Sequence, residues 1–285
     1  MSDTSKSTGN PVVSLSGSIL VVGAGKMGGA IVTGLLERGL QPSQLLIQDP
    51  SPPPESAALI SKHQLLRQDR FEDLAEPPAV ILAAVKPQLM DDVFSDAARL
   101  SGPETVTISI AAGRTLASFE KLLPDGSAVV RAMPNTPAAI GHGMTVCCAN
   151  GAASEDQKEI ATALLSAVGK VAWVADEGLM DAVTAVSGSG PAYVFHLVEC
   201  MAEAGVKAGL APELAAELAR QTVSGSGALL AQSDLPADQL RRNVTSPGGT
   251  TAAALSVLMD EQAMQALFER AIAAAKKRGE GLAGA

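Results

Sequence analysis

The tightest constraint on this chain is a glycine triplet set directly behind a short apolar run. Ile19-Leu20-Val21-Val22 reads as a buried strand, Gly23-Ala24-Gly25-Lys26-Met27-Gly28 follows at once, and a helical pattern continues to Glu37. In G-x-G-x-x-G each glycine has its own reason. The first allows a tight turn, the second lets backbone approach a pyrophosphate, and the third lets helix and strand pack closely, while the helix N-terminus offers unpaired N–H groups to the anion. A strand before and a helix after are the context that gives the pattern meaning, so residues 23–28 are the expected dinucleotide-binding loop.

Asp49 stands about 20 residues beyond Gly28, after a second predicted strand at Leu45-Leu46-Ile47. A carboxylate there would accept a hydrogen bond from a ribose 2′-hydroxyl and repel a 2′-phosphate, which favours NADH. It could equally just begin the Asp-Pro-Ser-Pro-Pro-Pro turn, since Asp commonly opens turns. Arg67 and Arg70 could serve a 2′-phosphate if the fold brings them near. The residues alone leave these readings open.

From Ser18 to about Val174, short apolar runs alternate with amphipathic ones. Ala79 to Val85, Thr105 to Ile110, Ala128 to Met133 and Met144 to Cys148 read as further strands. That alternation predicts an α/β domain with a mostly parallel sheet, with the runs near Met144 and at Val171 to Val174 as edge strands of mixed direction. Beyond Asp176 no strand is expected, and Ala, Leu and Glu dominate helical patterns at 179–210 (interrupted by Ser187-Gly188-Ser189-Gly190-Pro191), 212–232, 238–243 and 262–278. The expected organisation is a polar, disordered leader at 1–17, a dinucleotide-binding domain at 18–176 and a helical domain at 177–285.

Composition removes several function classes. Aromatic residues make up 2% of the chain and the net charge is −9, without a basic stripe, which disfavours a nucleic-acid partner. Cys147, Cys148 and Cys200 have neither metal-ligand spacing nor an even disulfide framework, and because two of them are neighbours inside an apolar run, buried thiols are the preferred reading. No apolar stretch reaches the ~20 residues of a membrane span, and the leader lacks a signal-peptide core, which points to the cytoplasm.

The remaining chemistry lies at strand ends, where an open α/β sheet binds its ligands. Lys86 follows one strand, Ala111-Ala112-Gly113 another, and Met133-Pro134-Asn135-Thr136-Pro137 a third. His63, His142 and His196 have no partners at triad or metal spacing, and G-x-S-x-G and H-E-x-x-H are both missing. Reduction of a ketone needs a proton donor beside the hydride, whereas a protonated imine needs only hydride delivery and orientation. Ser246-Pro247-Gly248-Gly249-Thr250-Thr251 could orient such a substrate, its backbone N–H groups forming a carboxylate-sized nest. The same residues also read as a plain capped helix start.

Several segments together resemble the signatures of the pyrroline-5-carboxylate reductase family. They are Ala84-Val85-Lys86-Pro87, Met133 to Pro137, Asp181-Ala182-Val183-Thr184-Ala185-Val186-Ser187-Gly188-Ser189-Gly190-Pro191-Ala192-Tyr193, and Val244-Thr245-Ser246-Pro247-Gly248-Gly249-Thr250-Thr251. They occur in family order, and the resemblance spans roughly 18 to 281. It implies a Rossmann-like N-terminal domain and an all-helical dimerisation domain, with subunits forming homodimers or larger rings such as a decamer. It implies hydride transfer from NADPH or NADH to C5 of 1-pyrroline-5-carboxylate, giving L-proline. By similarity, Val85, Lys86 and Ala112 border the nicotinamide half of the cofactor and Asn243 approaches the cofactor, from the partner subunit. Gly249, Thr250 and Thr251 hold the substrate carboxylate, the Thr251 hydroxyl lies near the imine nitrogen as the catalytic group, and Glu177 borders the substrate. One departure stands out: many relatives carry Ser or another residue suited to a 2′-phosphate where this chain has Asp49-Pro50-Ser51.

Two other readings compete. A β-hydroxyacid dehydrogenase would need a catalytic Lys in the long central helix, and the first Lys after Gly190 is Lys207, far along it. A nucleotide sensor without chemistry would have no use for the nest at 246–251.

Overall fold

The fold was obtained as a computed structural model, which describes residues 15–71, 74 and 76–283. The leader expected over 1–17 lies, up to residue 14, outside the described residues. Leu15 is buried, and Gln44 Nε2 donates to the carbonyls of Leu15 and Gly17 at 2.9 and 3.3 Å. The chain divides into two compact units, one running to Gly188 and joined by the chain from Arg278, the other Ser189–Lys277.

The first unit holds β1 (Ile19–Val22), α1 (Lys26–Glu37), β2 (Leu45–Gln48), α2 (Pro54–His63), β3 (Leu66–Gln68), β4 (Val80–Ala83), α3 (Met90–Ala98), β5 (Val106–Ser109), α4 (Leu116–Glu120), β6 (Ala128–Met133), β7 (Gly143–Ala149), α5 (Glu155–Leu165), β8 (Gly169–Trp173) and α6 (Met180–Val183). Its eight strands form one sheet in the order β3-β2-β1-β4-β5-β6-β7-β8. The pairs from β3 to β6 are all parallel. The order reverses at β1, whose Ile19 sits opposite both Leu45 and Val80. The glycine loop therefore leaves the sheet at its topological switch point, the crevice where such sheets bind ligands.

Both faces of the sheet are covered, which explains why its strands read as continuous apolar runs. Ile19, Val21 and Ile47 face a layer that includes Ile31 and Leu35 of α1 and Leu164 of α5. Leu20, Val22 and Ile81 face Met90 and Phe94 of α3 and Phe119 of α4. Phe94 and Phe119 meet edge to face, with centroids 5.2 Å apart.

Two features depart from the sequence expectation. β7, expected at an edge, is interior, whereas its antiparallel pairing with β6 and the edge position of β8 match the expected strands of mixed direction. The connection from β6 to β7 is only a short helical turn, Thr136–Ile140, ended by Gly141 at φ 74°, far too short for a parallel crossover. β3 was not anticipated, because its three residues carry no apolar alternation and Leu66 is 62% exposed.

Cys147 and Cys148 are buried on opposite faces of β7. Burial, and then the neighbouring Cys148, pushes the Cys147 thiol up from 9.0 to about 12. Burial, and then Glu177, pushes Cys148 to about 11 against the opposing pull of Arg131. Both thiols stay protonated in the fold at pH values where an unfolded thiol ionises. Their contribution to stability is thus complete below pH 9.0 and is lost as pH rises toward about 11 and 12. The urea midpoint should be flat to about pH 9 and fall beyond it. At pH 8 native Cys147 and Cys148 should resist a thiol reagent that reaches them in denaturant. Labelling of either in the folded protein would contradict this burial.

The second unit is helical: α7 (Gly190–Lys207), α8 (Pro212–Gln232), α9 (Ala237–Asn243), α10 (Thr250–Leu258) and most of α11 (Met264–Ala283). Between the 179–190 turns and α7 the expected interruption is real: α6 passes through a π-helical turn at Thr184–Gly188 before Pro191 opens α7 in its first turn. In α8 only Ala215 and Ala219 are buried. Large apolar side chains stay exposed in the single chain, among them Phe195 at 64%, Leu229 at 55% and Val257 at 70%. An apolar surface of that extent marks an association face. No helix among the described residues is long and apolar enough to cross a membrane.

Candidate active site

The loop after β1 is shaped by close approach. Gly23 has φ 94°, and a Cβ there would stand 2.8 Å from Val85 Cγ1. A Cβ on Gly28 would lie 2.3 Å from the Gly23 carbonyl oxygen, so the third glycine is what lets α1 begin against β1. Gly25 is different: it caps α1 with extended backbone, and nothing lies within 4 Å of the Cβ it lacks. The helix start has no side-chain cap and no acidic residue in its first turn. Open space over Gly25, beside the positive end of a helix, fits a pyrophosphate. Lys26 is exposed, Met27 packs partly against the core, and Ala24 is buried.

Asp49 is tied to this loop. Its Oδ2 accepts the Ala24 N–H at 2.7 Å and its Oδ1 accepts the Ser51 N–H at 2.9 Å. The carboxylate is thus held beside the glycine loop while staying partly exposed. Across the switch point, Ala84 N–H donates to the Val22 carbonyl at 2.8 Å and Ile110 N–H to Ala83 at 3.1 Å. These bonds line up the loops after β1, β4 and β5 at the carboxyl end of the parallel strands. Val85 is half-buried there, while Lys86 and Ala112 are exposed.

Glu177 follows β8, and its Oε1 accepts both the Arg131 Nη1 and the Leu116 N–H at 2.8 Å. The Arg131 side chain is 7% exposed and that of Glu177 29%. One carboxylate oxygen therefore joins β6, the start of α4 and the turn before α6. Asn135 makes a second tie: its Nδ2 donates to the Ser187 carbonyl at 3.3 Å, and its Oδ1 accepts the Met144 N–H at 2.9 Å.

In the helical unit, Gly248 has φ 70° and the Gly249 N–H donates to the Ser246 carbonyl at 3.1 Å. Gly249 caps α10 without a side-chain bond, so Thr250 and Thr251 occupy the first turn, again with no acidic residue. Thr251 is partly buried and Thr250 exposed. Asn243 ends α9, its Oδ1 accepting from Gln239 Nε2 at 2.8 Å. Each unit thus presents one uncapped helix start preceded by glycine.

Comparison with known proteins follows this division. Residues 177–282 match the family model for pyrroline-5-carboxylate reductase dimerisation, and residues 18–113 that for NADP oxidoreductase, coenzyme F420-dependent. The pyrroline-5-carboxylate reductase of Pseudomonas aeruginosa is 42% identical over 268 residues, covering 93% of this chain and 96% of the relative. The chain belongs to the pyrroline-5-carboxylate reductase family. The Mycobacterium leprae reductase is 39% identical over 286 residues, with the same coverage of 93% and 96%. Among solved structures, the Coxiella burnetii reductase superposes with TM-score 0.87 at 34% identity, over 94% of this chain and 99% of that one. The Plasmodium falciparum enzyme, solved with NADP bound, gives 0.77 at 29%, over 94% and 98%. Membership brings the dimerisation domain, so the chain self-associates.

Sequence reasoning passed over Arg131. The signal was available, since an arginine inside the apolar strand Ala128 to Met133 must have a partner if the strand is buried. Arg67 was singled out as a possible partner of a 2′-phosphate, but its bonds to the Asp49 and Pro50 carbonyls were not foreseen, because β3 was not.

Proposed function

We infer that the chain reduces 1-pyrroline-5-carboxylate to L-proline, the last step of proline biosynthesis, with NADPH or NADH as reductant. The observation that carries this is the uncapped start of α10 at Gly248-Gly249-Thr250-Thr251, in a chain of the reductase family. Bound reduced nicotinamide supplies the hydride, from its C4 to C5 of the cyclic imine.

The chain's own residues bind and orient. Gly23, Ala24, Gly25, Lys26, Met27 and Gly28 hold the pyrophosphate at the positive end of α1, and Asp49 braces that loop. Val85, Lys86 and Ala112 border the nicotinamide half, and Asn243 of one subunit serves the cofactor bound by its partner. Thr250 and Thr251 offer first-turn N–H groups to the substrate carboxylate, Gly249 lets it approach the helix start, and the Thr251 hydroxyl accepts from the protonated imine nitrogen and stays with the amine formed. Glu177 holds the wall on the substrate side, its Oε1 committed to Arg131 and Leu116, and so acts as a positioning residue. With the proton already on the imine, no separate acid is required. The same reading takes the protein as a cytoplasmic homo-oligomer, a dimer or a ring of dimers, with neither nucleic acid nor membrane as partner.

Nicotinamide absorbance with purified protein and 1-pyrroline-5-carboxylate tests the reaction directly. Rapid oxidation is expected, and none from a folded, nucleotide-binding protein overturns the reading. Thr251→Ala should lower kcat/KM by about 10- to 100-fold, the worth of a hydrogen bond to a charged group. Melting temperature and nucleotide affinity should stay at the wild-type level. An unchanged kcat/KM would remove the hydroxyl from the mechanism.

A further inference from the structure

We propose that Asp49 and the proline-rich turn behind it make this chain select NADH over NADPH. This rests on the reductase reading above and goes beyond it by choosing between the two nucleotides.

The turn after β2 is poor in donors. A 2′-phosphate is a dianion at neutral pH and must be met by N–H, hydroxyl or cationic groups. In the stretch 49–54, positions 50, 52, 53 and 54 are proline and have no N–H. The two remaining N–H groups are already used: Asp49 donates to the Gln68 carbonyl at 3.3 Å, and Ser51 donates to Asp49 Oδ1 at 2.9 Å.

The nearby cation has three of its five N–H donors committed. Arg67 Nε donates to the Asp49 carbonyl at 2.9 Å, and its Nη2 donates to the Pro50 carbonyl at 3.1 Å and pairs with Asp69 at 2.5 Å. Its guanidinium braces the underside of the turn, and Asp69 offsets its charge. Glu55, in the first turn of α2, adds another negative charge. Against these stand the Ser51 hydroxyl and the exposed Arg70.

Asp49 itself is placed to accept. Each carboxylate oxygen takes one backbone N–H and retains a further lone pair, and the side chain is partly exposed beside the glycine loop. A ribose diol can donate to it, whereas a 2′-phosphate would face a like charge with few groups to offset it. The brace to Ala24 matters too, because it fixes the carboxylate relative to the pyrophosphate loop and leaves it little freedom to swing away.

The test is equilibrium binding, measured by calorimetry on the full chain without imine, so that it does not depend on turnover. The wild type should bind NADH at least about tenfold more tightly than NADPH. Asp49→Asn removes the charge and keeps the shape, and should narrow that ratio by about tenfold, mainly by tightening NADPH. Ser51→Arg leaves Asp49 in place and adds a cation, and should tighten NADPH while NADH changes little, which covers the case in which the Asp49 variant does not fold. NADPH binding as tightly as NADH in the wild type would overturn the proposal and leave the reductase reading standing. Equal loss of both nucleotides in Asp49→Asn would make Asp49 a brace alone and overturn it too. Binding of neither nucleotide by the wild type would overturn the reductase reading and the selection with it.

Discussion

Gly25→Ala will leave the protein folded and deprive it of its dinucleotide, whereas Gly28→Ala will damage the fold itself. The two glycines belong to one motif, but they answer to different neighbours. At Gly25 the backbone is extended with φ −65°, and an added methyl meets nothing within 4 Å. Alanine is the poorer N-cap by about 0.5–1 kcal/mol, and the lower entropy of the unfolded chain returns about as much, so the net change in stability is small. The methyl would instead fill the space over the start of α1 that a pyrophosphate needs, and NADH affinity should fall by about a thousandfold or more.

At Gly28 the methyl would sit 2.3 Å from the Gly23 carbonyl oxygen and 3.1 Å from Ala84 Cβ. Backbone cannot rotate aside, so α1 must move away from β1. Overpacking of this kind costs roughly 1–3 kcal/mol and sometimes more, against about 1 kcal/mol regained from helix propensity. Melting temperature and NADH affinity, measured on both variants, separate the cases. A Gly25→Ala protein that binds NADH within about threefold of wild type would show that the pyrophosphate does not lie over that residue. A Gly28→Ala protein of wild-type stability would show that the approach of helix to strand has room to spare.

Arg131→Met will cost about 2–3 kcal/mol and lower the melting temperature by roughly 5–10 °C. Removing one partner from a fully buried pair costs more, but the Glu177 side chain is 29% exposed and water takes up part of its stranded charge. Glu177→Gln should be milder, because an amide oxygen still accepts from Arg131 and from Leu116 N–H. Arg131→Met combined with Glu177→Leu should recover much of the loss, since two apolar groups leave no unpaired charge. Denaturant unfolding of the wild type, Arg131→Met, Glu177→Leu and the double variant closes a double-mutant cycle. Additive losses would mean that the 2.8 Å contact carries no coupling, and the wall formed by β6, α4 and the turn before α6 would need another explanation.

What the sequence determined by itself is local or repeats along the chain. Ile19 to Val22 followed by Gly23, Gly25 and Gly28 specifies a strand, a tight turn and a helix start, because each depends on steric preferences within a few residues. Ala128 to Met133 and Pro212 to Gln232 were bounded as they stand, since both are strongly patterned and flanked by turn residues or Pro. The glycine turn that leads into α10 was legible for the same reason. Tertiary structure decided what depends on groups far apart in the chain. β3 exists because β2 offers it a paired edge, not because Leu66-Arg67-Gln68 prefers to be extended. β7 reverses direction because the return from β6 is short. Asp49 could be placed near the ribose from its distance to Gly28. That it grips Ala24, that Arg67 spends its donors on the same turn, and that Glu177 is held by Arg131 follow only from the fold. These contacts join residues 18 to 46 positions apart, and no pattern along the chain encodes which polar groups must meet once the sheet and helices have closed around them.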